Sequence, residues 1–151
     1  MKKHKIVLLL FLFLGTNLSA QNIVGIWQIN SAIVGSGLDE SYRFYENGEF
    51  EFIVSQFLYL NNIISFSGTY IIQGNQICFV ITSRKERAGT YIEQGSPAWQ
   101  DNWILEGDDI KEIKQDTAKP YCFGFSLKKE GEQSIIQIGN ATYYKLKKED
   151  E

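Results

Sequence analysis

The stretch that most limits what this chain can fold into is Glu49-Phe50-Glu51-Phe52-Ile53-Val54, which directly follows Asn47-Gly48. Charge and ring alternate with a period of two. In an extended strand that puts carboxylates on one face and rings on the other, whereas a helix would spread both around its circumference. Asn-Gly before such a run predicts a hairpin turn, because both residues tolerate positive φ. The strand leading into it, Ser41-Tyr-Arg-Phe-Tyr-Glu, carries Tyr42 and Phe44 on one face.

The same period continues along the chain. Ile63 to Gln73 places Ile64, Phe66, Gly68, Tyr70 and Ile72 on one side, with Ser65, Ser67 and Thr69 on the other. Gly74-Asn75 turns the chain into Ile77, Phe79 and Ile81, which alternate with Gln76, Cys78 and Val80. Gly68 in mid-strand predicts a bend or bulge. Residues 84–103 read less regularly, with a short strand around Thr90-Tyr-Ile-Glu and an irregular Gly95-Ser-Pro97. Regular alternation returns at Trp103-Ile-Leu-Glu, Ile110 to Lys114, Tyr121 to Leu127, Ser134 to Ile138 and Thr142 to Lys147, the last two joined by Gly139-Asn140. Eight to ten short strands with tight turns and no convincing helix predict an all-β, single antiparallel up-and-down β-barrel, since closure removes the open edges. A β-sandwich is the other arrangement, but two-residue turns favour pairing of sequential neighbours.

Residues 1–20 are expected to be a signal peptide: Lys2, Lys3, His4 and Lys5, an apolar run from Ile6 to Leu14, then small residues ending at Ala20. The apolar run is too short to span a bilayer, and no Cys lies near the cut to carry a lipid. The expected product is residues 21–151, one barrel domain, exported to the periplasm or secreted, without a membrane anchor. Removing residues 1–20 takes three lysines with it, so 12 basic residues face 18 acidic ones and the net charge moves from −3 to −6. An acidic chain without a basic stripe predicts no nucleic-acid partner.

His4 is the only histidine, so the expected mature chain has none. That argues against Ser-His-Asp and Cys-His catalysis and removes the commonest transition-metal ligand. No enzyme, no metal site and no cofactor are expected. Asp101, Glu106, Asp108 and Asp109 lack the spacing of a calcium loop and read as a solvated turn. Cys78 and Cys122 either pair in an oxidising compartment or remain two small half-buried thiols.

With the strands in place, Gly25-Ile26-Trp27 on the first of them gains context. A first-strand Gly-x-Trp, an aromatic strand into Asn-Gly-x-Phe, and Ser-Gly-x-Tyr followed by a Gly-Asn hairpin together resemble the lipocalin-like, calycin-type domains of exported bacterial proteins. The resemblance spans about residues 22–147 and is strongest over 22–82. It implies that Trp27 plugs one end of the barrel and that Lys145 or Lys147 packs on its ring. The chain departs from lipocalins in lacking a C-terminal helix and their later strand-turn motifs.

An eight-stranded barrel is just wide enough to be filled by its own side chains or to hold one small ligand. Tyr42, Phe44, Phe50, Phe52, Phe66, Tyr70, Phe79, Tyr121, Phe123 and Phe125 are the candidate lining; they either fill the core or surround a cavity. Trp99 and Trp103, around Gly95-Ser-Pro97, form a lid or pack against the barrel end. Two functions follow: a binder of a small hydrophobic molecule, or a filled barrel acting on an envelope protein as an interaction or inhibitor module.

Overall fold

The computed structural model of the chain describes residues 23–31, 39–55, 62–89, 91–94, 103–106, 109–115 and 119–147. Among the described residues eleven strands run in order: β1 (Gly25–Ile29), β2 (Ser41–Phe44), β3 (Glu49–Ile53), β4 (Ile63–Gln73), β5 (Gln76–Ala88), β6 (Tyr91–Gln94), β7 (Trp103–Glu106), β8 (Asp109–Lys114), β9 (Pro120–Glu130), β10 (Gln133–Ile138) and β11 (Ala141–Lys145). There is no α-helix among the described residues. The sheet order β4-β3-β2-β1-β11-β10-β9-β5, with β4 also paired to β5, closes an antiparallel up-and-down barrel of eight strands. An extra strand, β8, pairs with the C-terminal half of β5, and β6–β7 form a separate two-stranded sheet. The alternation in the sequence therefore produces the expected closed barrel, with the surplus strands outside its eight.

One end of the barrel carries the start of β1, the end of β11 and the turns β2–β3, β4–β5 and β9–β10. The opposite end carries the β10–β11 turn, the ends of β1, β3 and β5 and the starts of β2, β4 and β8. The turns are set by glycine, but not quite as the dipeptides suggest. At Asn47-Gly48 only Gly48 has positive φ (82°). Gly48 N–H donates to the Tyr45 carbonyl and Tyr45 N–H to the Glu49 carbonyl, which makes a three-residue loop closed by a glycine bulge rather than a two-residue turn. The longer loop still brings Phe44 opposite Phe50, so both rings reach the core.

Gly68 meets a different demand. The β4–β5 register shifts between Ser67 and Gly68, and a Cβ at Gly68 would stand 1.9 Å from the Val80 carbonyl oxygen. Backbone, not a movable side chain, fills that space. Gly68→Ala is therefore expected to push β5 off β4 and cost about 1–3 kcal/mol or more, read as a lower urea midpoint with an unchanged slope.

The outer face is not wholly solvated. Ser65, on the face expected to meet water, is buried, and its hydroxyl donates to Glu51, which also accepts from Lys85 at 3.3 Å.

Candidate ligand-binding site

Trp27 is fully buried at the end where β1 begins. Its indole N–H donates to the Ile23 carbonyl at 2.7 Å, and Lys145 Nζ stands 5.6 Å from the ring centre. β1 and β11 bring the pair together because Trp27 and Lys145 are opposite each other in register. Lys145, rather than Lys147, is the residue over the ring; Lys147 lies outside, 4.0 Å from Glu132. Gly25 explains the first letter of the motif. A Cβ there would meet Lys145 Cε at 2.9 Å, and the residue has φ of 124°, which glycine adopts without strain. Gly25 thus leaves room for the lysine stem to reach the tryptophan.

Above this plug the interior is packed with rings. Tyr42 occupies the middle, with ring centres of Phe44, Phe52, Phe79 and Tyr143 within 5.4 Å. Phe44 lies edge-on to Tyr70 at 4.8 Å, and Phe50 is 4.7 Å from Phe79. Burial raises the Tyr70 phenol above its ordinary pKa. Phe66 sits at the margin, 6.5 Å from Phe52, and Phe125 packs half-buried against the core. The half of the barrel nearest Trp27 is filled by its own side chains.

Strand β9 behaves differently. Tyr121 is opposite Phe79 and Phe123 opposite Ile77, so their side chains share the inward face of those two buried residues. Yet Tyr121 is 55% and Phe123 43% exposed. The topology gives the reason. β9 pairs with β5 only over Pro120–Gly124 and with β10 only from Phe125 onward. Where β9 runs beside β5, β10 has already ended at its Gly139-Asn140 turn, which abuts Phe123. The inward face is left uncovered along this stretch, on the flank of the barrel.

A small polar group faces the same interior. Glu40 and Tyr42 share one face of β2 and its approach, and Tyr143 O–H donates to the Glu40 carboxylate across β1. Burial, then the Glu40 charge, raises the Tyr42 phenol well above its ordinary pKa. Burial, then the hydrogen bond to Glu40, does the same at Tyr143. Both phenols hold their protons, and Tyr143 acts as a neutral donor. Opposite Phe66 on β5, Arg84 is engaged by Glu86 at 3.0 Å.

Cys78 and Cys122 are joined by a disulfide, opposite each other in the middle of the β5–β9 pairing. Of the two outcomes open in the sequence, the structure takes the paired one. Trp99, Asp101, Asp108 and residues 1–20 lie outside the described residues, and Trp103 is described as a position in β7, opposite Gln94. Glu40 and Tyr143 were not among the residues singled out from sequence. Parity would have found them: Glu40 is two residues from Tyr42, and Tyr143 two from Lys145. Among the described residues no group of three or more His, Cys, Asp or Glu is arranged to hold a metal ion. A separate cleft of about 660 Å³ lies at the Trp27 end, lined by Gly25, Arg43, Phe44, Glu46 and Lys145 among others.

The barrel is compatible with a calycin-like fold. No protein-family model, curated protein or solved structure matches the chain.

Proposed function

We propose that this chain is an exported, non-catalytic lipocalin-like barrel that binds a small hydrophobic molecule against the inward face of β9. One observation carries the reading: Tyr121 and Phe123 face the interior beside buried Phe79 and Ile77, yet remain 55% and 43% exposed. A barrel that only needed a core would cover those rings. An uncovered aromatic wall running into a packed aromatic floor is the form of a small-molecule site, apolar over most of its surface with few polar groups. The basic, apolar and small-residue order of residues 1–20 supports export.

The second reading, a filled barrel that acts on an envelope protein, draws on the Tyr42 ring cluster, which leaves no room in the Trp27 half. Titration with the neutral probe N-phenyl-1-naphthylamine separates the two. The expected result is saturable one-to-one binding, weakened at least about tenfold in Tyr121→Ser/Phe123→Ser, as loss of two ring contacts worth about 1 kcal/mol each would give. Absence of saturable binding, or binding indifferent to those substitutions, would favour the filled barrel.

A further inference from the structure

We propose that the outer wall of the barrel over β3, β4 and β5 holds a second site, for a neutral saccharide, independent of the β9 face. A cleft of about 510 Å³ opens on that wall, lined by Glu49, Glu51, Ser67, Thr69, Thr82 and Lys85 among others, and exposed Tyr45 also borders it. Small-molecule clefts are usually about 300–1,000 Å³. The strand register explains why polar groups gather there. Glu51, Ser67 and Ser83 stand opposite one another across three strands, and Glu49 is opposite Thr69 two residues along, on the same face. Between these rows the pairing of β4 with β5 slips at Ser67–Gly68, and Thr82 is the extra residue, opposite none on β4. A bulge bends its strand and re-aims side chains. Thr82 and Ser83, neighbours in sequence, both line the cleft, and Ser83 is buried although its row lies on the outer wall.

The polar groups are fixed by the protein itself. Asn47 Nδ2 donates to Glu49 at 2.8 Å. Ser65 Oγ and Lys85 Nζ donate to Glu51 at 3.2 and 3.3 Å. The Thr82 hydroxyl donates to the Ser67 carbonyl at 3.4 Å, and its oxygen can still accept. The charges select the ligand. Lys85 already neutralises Glu51, which removes the carboxylate pair that would draw a divalent cation. Two carboxylates against one ammonium disfavour an anion. A neutral molecule rich in hydroxyls fits what remains. Its hydroxyls donate to the carboxylates, accept from Lys85 and exchange hydrogen bonds with Ser67, Thr69 and Thr82. Tyr45 adds an aromatic body for the apolar face of a sugar ring.

The test is a titration of residues 21–151 with maltose, cellobiose and N,N′-diacetylchitobiose, followed in amide proton–nitrogen correlation spectra. At least one of the three is expected to give saturable shifts centred on Glu49, Glu51, Thr69, Thr82 and Ser83, with Tyr121 and Phe123 unmoved. Thr82→Val keeps the branched shape and removes the hydroxyl; it should weaken that sugar about fivefold, the loss of one neutral hydrogen bond. Glu49→Gln should weaken it about tenfold, as for a hydrogen bond to a charged group. Both residues are exposed, so both variants should keep the spectrum of the folded barrel. Sugars that shift nothing, that shift amides elsewhere, or that bind both variants as tightly as the unaltered protein would overturn the proposal. Shifts in this cleft with calcium chloride or sodium acetate, and none with the sugars, would overturn the saccharide as its occupant.

Discussion

Trp27→Ala is expected to destabilise the barrel by about 3–5 kcal/mol, the usual cost of removing a fully buried large aromatic. Three losses add at this position. The cavity left by the indole sits at the end of the barrel where Ile23 and Phe44 are also buried. The Ile23 carbonyl loses its donor, leaving a buried acceptor unpaired at about 1–3 kcal/mol. Lys145 loses the ring beneath it, a contact worth about 0.5–1 kcal/mol. Trp27→Phe should keep most of the volume and cost distinctly less. Urea unfolding followed by far-ultraviolet circular dichroism reads both. Since domains of this size are stable by about 5–15 kcal/mol, the alanine variant should already be partly unfolded at low urea.

Loss of the Cys78–Cys122 disulfide should have an effect of the same size for a different reason. The bond closes a loop with a sequence separation of 44, which in the chain-entropy model corresponds to about 4 kcal/mol. Its place adds to this. β5 and β9 share five residue pairs, and the disulfide joins the central one. Beyond Gly124 the strand leaves β5 for β10. This short seam completes the barrel, so a Cys78→Ser/Cys122→Ser double variant should melt lower by on the order of 15 °C. Amide exchange should rise first along Pro120–Gly124. Tyr121 and Phe123 flank Cys122, so ligand affinity should fall along with stability. A variant that melted normally and bound normally would mean that the seam holds without its covalent link.

How far the sequence went can be judged at particular residues. Glu49 to Val54 predicts β3 because alternation needs no knowledge of the partner strand. Gly68 could be read as a bend because its lack of a side chain is itself the signal, although only the structure reveals that the Val80 carbonyl occupies the space. The resemblance offered Lys145 or Lys147 as the partner of Trp27, and the register of β1 on β11 selects Lys145. The flank opening was not legible. It depends on β9 changing neighbours between Gly124 and Phe125, a long-range choice that period-two patterning cannot express. The same alternation that puts Tyr121 and Phe123 on the inward face says nothing about which strand covers them. The disulfide was undecided for a related reason, because spacing along the chain does not fix which strands become neighbours. The Glu40–Tyr143 contact also joins residues far apart in sequence, across the intervening β1.

Whether the β9 face holds a small molecule is decided by native mass spectrometry of residues 21–151, purified without unfolding and offered a panel of small aromatic and aliphatic molecules. A single added mass per folded chain is expected, lost in the Tyr121→Ser/Phe123→Ser variant and retained when Arg43 and Glu46, which line the cleft at the Trp27 end, are replaced by alanine. A folded protein that carries only its own mass across the whole panel would contradict it.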